Sequence, residues 1–243
     1  MAAFYHAGFI IDKIYGRTIE SLSFASRYGV SFDIISPKME IESDLVILCV
    51  PDDAISDVSK MIFAKNKKQI IAHTSGTASI TNIDEKHNFK GVFYPLQTFK
   101  KGQFTNMRQV PFCIHGNESS VVENLQHVAN KLSDYVHIIE DTDRKKLHLS
   151  AVFINNFINY LIGQIQKYTA ENAIPFDLLE PLLKETIRKA IDGNALQNQT
   201  GPAKRNDIKT ISQHIDLLEE KPELLKLYAI FTENIKNHYE TNR

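Results

Sequence analysis

The chain lacks tryptophan altogether, and its 243 residues include only two cysteines and ten glycines. Cys49 and Cys113 each sit in an apolar, strand-like run, which excludes a disulfide framework and a two-cysteine zinc half-site. Both are expected as buried, reduced thiols. Long hydrophobic runs are missing too. The longest candidates, such as "LVILCV", are strand-sized, well short of the roughly 20 residues that span a membrane. The early apolar stretch is broken by His6, Asp12 and Lys13, which argues against a secretory signal. No charge of one sign dominates: 28 basic and 29 acidic residues leave a net charge of −1. That balance carries no electrostatic footprint for nucleic acid or an anionic membrane surface. The histidines show no metal-ligand spacing, and neither a nucleophile elbow nor a phosphate-binding lysine loop occurs. What remains is ordinary globular composition, 43% hydrophobic and 23% charged, enough for one large or two modest domains. A cytoplasmic protein without a bound metal is expected.

One further gap concerns the start. "MAAFYHAGFIIDKIYGRT" reads as an apolar helical turn ending at Gly8, followed by an extended run, Phe9–Tyr15. In nucleotide-binding folds that pair follows a strand and a glycine-rich turn whose backbone donors hold a pyrophosphate. No G-x-G-x-x-G or G-x-G-x-x-A precedes Gly8.

The first half alternates between two periods. Thr18 is placed to cap a helical stretch, "IESLSFASRYG", that ends at Gly29. "DLVILCV" is a continuous β-branched and apolar run, as in a strand buried on both faces of a parallel sheet. Pro51-Asp52-Asp53 stops it and starts a helix expected over 54–64. "QIIAH", "GVFYPL", "VPFCIHG", a helix after Asn117 and "DYVHII" continue the alternation, which predicts an α/β sheet covered by helices on both faces. After about Glu140 the pattern becomes helical throughout. A long helix is expected from "DRKKLHLSAVFINNFINYLIGQIQKYTAENAI", then a second stretch and a break at "GPAKRND". Ile208, Ile211, Ile215 and Leu218 follow at helical spacing. The expected domains are therefore 1–140, α/β, and 141–243, all helical.

Ligands of open parallel sheets bind outside the carboxyl ends of the strands. Those ends here read Gly16-Arg17-Thr18, Val50-Pro51-Asp52-Asp53, His73-Thr74-Ser75-Gly76 and Tyr94-Pro95-Leu96-Gln97. Arg17 in place of an acidic residue suits a ribose 2′-phosphate, as in NADP, with the Thr18 hydroxyl beside it. Equally, Arg17 is a solvated loop cation and Thr18 a helix cap. Thr74, Ser75 and Gly76 could form a turn that aims backbone donors at a ligand or merely joins strand to helix, and His73 is either titratable near neutrality or hydrogen-bonded structure. On the long helix, at about 100° per residue, Asn155, Asn159 and Gln166 share the azimuth of His148, with Asn156 to one side. An amide-and-imidazole stripe suits a cleft wall facing a polar ligand; the alternative is a solvent face, although "LSAVFINNFINYLIG" contains no Lys or Glu.

Taken together, "HTSG", "YPLQTF", "HLSAVFINN" and "TGPAKRND" make the chain resemble Rossmann-like NADP oxidoreductases with a C-terminal helical domain of unknown function. These are similar in layout to pyrroline-carboxylate reductases and other short members of the 6-phosphogluconate dehydrogenase superfamily. The resemblance runs from about residue 2 to 240. Its strongest element is Thr200-Gly201-Pro202 with Arg205, Asp207 and His214, and the block Pro95-Leu96-Gln97-Thr98-Phe99 also matches. Two positions depart: Tyr94 stands where many relatives have His, and Asn206 where Gly is usual.

The resemblance implies NADP held by Arg17, Thr18, Val50, Pro51, Asp52, His73, Thr74 and Ser75. It implies His148 as a proton donor or substrate clamp, Asn156 as a donor to a developing anion, and Arg205 as a clamp for carboxylate or phosphate. Gln97, Thr200 and Asp207 would face a small-molecule substrate, and a homodimer would form through the helical domain. The implied reaction is hydride transfer between NADPH and a small carbonyl or imine. The resemblance also places a first strand and glycine loop ahead of Met1, so that the sheet is truncated as written, Met1 is an internal methionine behind a misplaced start codon, and NADP binding is poor. The competing reading is a non-catalytic small-molecule-binding or interaction protein on a degenerate Rossmann scaffold.

Overall fold

The computed structural model describes residues 1–100, 103 and 105–240, with Ser21, Leu22 and Ser23 described in their backbone only. The chain divides into two compact units, Met1–Asn155 and Asn156–Arg243.

The first unit starts with a short helix, α1 (Ala2–His6), and a strand, β1 (Lys13–Gly16). The extended run is thus shorter than Phe9–Tyr15, because Phe9 turns inward against the apolar core instead of pairing. Helix α2 (Ile19–Leu22) continues as a 3-10 helix over Ser23–Tyr28 and ends at Gly29, whose φ of 65° is the left-handed value glycine adopts without a Cβ penalty. Strand β2 (Ser31–Ile34) pairs in parallel with β1.

Next come β3 (Met39–Ile41), β4 (Leu45–Leu48), α3 (Ile55–Met61) and β5 (Ile62–Ala64). The helix expected over 54–64 is shorter at both ends. Asp52–Ala54 is a 3-10 turn, and Ile62–Ala64 is extended because Ile62 enters the core and pairs in parallel beside Met39. The remaining strands are β6 (Ile70–His73), β7 (Phe89–Pro95), β8 (Phe112–Gly116) and, after α4 (Ser119–Leu132), β9 (Val136–Ile138).

Five strands form one sheet in the order β4-β6-β7-β8-β9. All neighbours are parallel except β7 and β8. Between those two, the described residues hold only a 3-10 turn, Met107–Gln109. Without a crossover helix the returning strand runs antiparallel. Alternation along β6 shows how the sheet is covered. Ile70 and Ala72 join the cluster under α4, with Phe93, Phe112 and Leu125, whereas Ile71 joins Met39, Ile41, Ile55 and Ile62 on the other face. Strand β4 corrects the expectation of burial on both faces: Leu45, Val46 and Ile47 are only half-buried, since β4 lies at the edge of its sheet. Cys113 is buried in β8, but Cys49, one residue past β4, is exposed, correcting the expected pair of buried thiols.

Helix α5 (Asp141–Ala151) closes the first unit, and the chain passes into a π-helical stretch, Val152–Phe157. The second unit is helical: α6 (Ile158–Glu171), α7 (Glu180–Asp192), α8 (Pro202–Arg205), α9 (Ile208–Leu217) and α10 (Pro222–Glu240). The "GPAKRND" break thus contains a helical turn, with Pro202 at its first position, where no N–H is needed. No helix among the described residues is long and apolar enough to cross a membrane.

Candidate functional site

In the first unit the carboxyl ends of β4, β6 and β7 carry a polar cluster, and the start of α5 holds it in place. Thr74 ties the end of β6 to β4, its backbone N–H and its hydroxyl both donating to the Leu48 carbonyl at 3.2 and 3.3 Å. The Ser75 hydroxyl oxygen then accepts from the N–H groups of Thr77 and Ala78 at 3.0 and 2.8 Å, closing a tight turn. His73 is fully buried, and its Nδ1 accepts from the Ser75 N–H at 3.2 Å. Burial first, and the Arg144 charge second, push this imidazole down to about 4. It is neutral at pH 7 and serves the turn from inside.

Asp52, in the 3-10 turn after β4, accepts a very short hydrogen bond from the Thr77 hydroxyl. Burial alone would raise its carboxyl, but the hydroxyls of Thr77 and Ser75 and the imidazoles of His73 and His148 outweigh that and lower it. Asp52 is therefore a carboxylate at neutral pH. Val50 beside it is half-buried and Pro51 exposed.

Asp141, Arg144 and His148 stand at intervals of three and four along α5, so they share one face. Asp141 accepts from the Ser79 hydroxyl at 2.7 Å, the Ile80 N–H at 2.9 Å and Arg144 Nη1 at 2.7 Å. Burial opposes ionisation, yet these donors, led by Ser79, hold the carboxyl well below the usual carboxylate range. Arg144 is fully buried and reaches the Ala78 carbonyl through Nη2. This pair pins the first turn of α5 to the loop after β6. One turn beyond Arg144, His148 Nδ1 lies 3.0 Å from the Tyr94 hydroxyl at the end of β7. Gly76 packs against both rings: a Cβ there would stand 2.8 Å from His148 Cγ and 2.9 Å from Tyr94 Cζ. Only glycine lets the backbone approach this closely.

Arg17 and Thr18 follow the carboxyl end of β1 and are exposed, and Arg17 makes no ion pair or hydrogen bond among the described residues. Gln97 is exposed just past β7 and accepts from the Thr98 N–H at 2.8 Å, while Thr98 receives the Asn155 amide at 2.8 Å. The π-helical stretch sets Asn155 and Asn156. Its wider turn breaks the constant 100° step on which the stripe arithmetic rests, so that azimuth does not carry past Ala151.

In the second unit, Thr200 is exposed and lines a cavity of 410 Å³ with Gln199, Gly201, Pro202, His214 and Tyr228 among others. His214 Nδ1 lies 2.9 Å from the Tyr228 hydroxyl. Arg205 ends α8, exposed. Asp207 caps α9, accepting from the Thr210 N–H at 3.1 Å and hydroxyl at 2.8 Å; these bonds lower its carboxyl. Asn206 has φ 54° and ψ 42°, the left-handed conformation that Gly or Asn adopts most easily. That is why Asn can replace the usual Gly.

Sequence reasoning did not single out Thr77, Asp141 or Arg144; it named Gly76 only as part of the turn after β6, and Tyr94 as a strand end and a departure from the resemblance. The usable signal was the i, i+3, i+7 series Asp141, Arg144, His148 on one helix face.

Residues 110–235 match the family described as "Domain of unknown function (DUF2520)". The chain belongs to this family. No match is found among curated proteins. Among solved structures, a candidate NADP oxidoreductase from Bacteroides fragilis is 30% identical, covering 97% of this chain and 92% of its own, with a TM-score of 0.88. An imine reductase from Myxococcus stipitatus, solved with NADP+, is 13% identical over 99% and 89% of the two chains, with a TM-score of 0.61. A pyrroline-5-carboxylate reductase from Coxiella burnetii is 14% identical over 99% and 92%, with a TM-score of 0.53. The DUF2520 chain thus has the fold seen in NAD(P)-dependent oxidoreductases: a Rossmann-like α/β region followed by helices.

Proposed function

We propose that the protein is an NADP-dependent oxidoreductase acting on a small carbonyl or imine. The Tyr94–His148 pair carries this reading: a half-buried imidazole, hydrogen-bonded at one nitrogen, stands at the carboxyl ends of the sheet strands where this fold binds ligands. The likeness to the Bacteroides fragilis and Myxococcus stipitatus proteins supports the cofactor class.

The residues present fit one end of a dinucleotide. Arg17 is an exposed cation that makes no ion pair or hydrogen bond among the described residues, which suits a 2′-phosphate, and Thr18 is exposed beside it. Val50, Pro51, Asp52, Thr74 and Ser75 supply a strand-end lining, and buried His73 braces it. A nicotinamide held there would supply a hydride to the carbonyl or imine carbon, and a proton from solvent would complete the alcohol or amine. For the chain's own part, His148 hydrogen-bonds the carbonyl or imine heteroatom. Asn156 has the chemistry of an amide donor to developing negative charge, and Arg205 that of a carboxylate or phosphate clamp. Gln97 in the first unit and Thr200 and Asp207 in the second are the residues the resemblance assigns to substrate, with Asp207 also capping its helix. A homodimer through the helical unit completes it.

NADPH fluorescence titration tests the proposal. Weak binding is expected, and Arg17→Ala should weaken NADPH further, at least about tenfold, roughly 1.4 kcal/mol, while leaving NADH unchanged. No change at millimolar cofactor would sink the reading and leave the small-molecule-binding alternative.

A further inference from the structure

Tyr94 is bonded at its hydroxyl to one atom among the described residues, His148 Nδ1 at 3.0 Å. The two rings meet edge to face, with centroids 6.0 Å apart and planes at 61°. Gly76 lies against both rings, so close that a Cβ there would push one of them aside. Burial, reinforced by neighbouring Cys113, raises the Tyr94 phenol above its ordinary value, so the hydroxyl keeps its hydrogen throughout the neutral range. A phenolic hydrogen needs an acceptor. The facing Nδ1 accepts only if the proton of the neutral imidazole lies on the other nitrogen.

We infer that Tyr94 is a positioning residue: it donates its hydroxyl hydrogen to His148 Nδ1 and holds the neutral imidazole as the Nε2–H tautomer. His148 then offers a ligand a fixed hydrogen-bond donor in place of a base. Such a donor complements an atom with an available lone pair, such as the oxygen of a ketone or aldehyde. It opposes a protonated imine, whose nitrogen carries a hydrogen and a positive charge. Resting on the oxidoreductase reading, this narrows the substrate class to a neutral acceptor with an available lone pair, a carbonyl before all, and away from a preformed iminium ion, with His148 polarising the C=O bond.

Long-range 1H–15N correlation spectra of the full chain without cofactor, at about pH 9, where an ordinary imidazole near 6.5 is neutral, read each tautomer directly. Loss of one spin system in His148→Gln assigns the ring. The expected wild-type pattern is Nε2–H at His148, moving toward a mixture of tautomers in Tyr94→Phe. Finding Nδ1–H in the wild type, or a Tyr94→Phe pattern identical to wild type, overturns the inference. Because this readout needs no cofactor, it stands apart from the NADPH titration, which can fail alone. With NADPH bound, preferential turnover of ketones or aldehydes over preformed iminium ions supports the substrate class. The reverse preference overturns it.

Discussion

His73 shows how a residue that looks like a catalytic candidate becomes a stability element once buried. Its pKa is pushed down to about 4, by burial first and then by Arg144. Imidazole in the unfolded chain titrates near 6.5, so between those values the unfolded state binds more protons than the folded one. Its contribution is fully present above about pH 6.5 and is lost as pH falls toward 4. The loss is on the order of 3 kcal/mol across that window. Urea unfolding at pH 7 and at about pH 4.5 checks this, with His73→Gln expected to flatten most of the difference. An unchanged pH slope in the variant would refute it. Asp141, held below the usual carboxylate range, loses its stabilising contribution only at more acid pH, below the unfolded value near 3.9. Gly76 is the second residue-scale case. Gly76→Ala forces His148 or Tyr94 aside and should destabilise by about 1–3 kcal/mol as overpacking. The variant should also lose the Nε2–H signature of His148, whereas Gly→Ala at exposed Gly163, where a Cβ meets nothing, should leave it intact.

At the scale of elements, α5 is the part that converts sequence spacing into a site. Its Asp141–Arg144 pair clamps the loop at Ala78–Ile80, and the next turn delivers His148 to Tyr94. Arg144→Met removes a fully buried charge and leaves Asp141 without it. Breaking a buried pair from one side costs about 3–5 kcal/mol, and thermal unfolding should register that loss. Helix α9 poses a different question, because Asp207 is both its cap and a residue of the "TGPAKRND" motif. Asp207→Ala should lower the unfolding midpoint by a few degrees, and Asp207→Ser should restore it, since serine also caps. If Asp207 has a substrate role as well, turnover stays low in the Ser variant. Element types were largely legible beforehand: the β6 run, α4 and α9 follow directly from the sequence pattern. The end of α3 was not, because Ile62–Ala64 is decided by a partner strand distant in sequence. Nor was the π-helical stretch, whose signal is absent from a 3.6-residue pattern.

At the scale of the whole molecule, the apolar surface of the helical unit invites a test of assembly. Leu178, Leu182 and Ile191 are 69%, 66% and 77% exposed, around and along α7. Apolar residues concentrated this way mark association surfaces more often than solvated ones. Sedimentation velocity at micromolar concentration is expected to show a dimer, and Leu182→Glu with Ile191→Glu should shift it to monomer. A monomer in the wild type would remove the homodimer from the proposal.

The amino-acid order alone determined the α/β-then-helical layout and the strand-end segments, because both depend on local periodicity and turn chemistry. It also supplied the motifs that place the chain among Rossmann-like oxidoreductase folds. Tertiary structure decided what each polar residue does. It buried His73, made Asp207 a cap, left Arg17 exposed and set Tyr94 against His148 over Gly76. Hydrogen-bond partners and desolvation come from residues far apart in the chain, and a tautomer or a carboxylate is defined only by those neighbours.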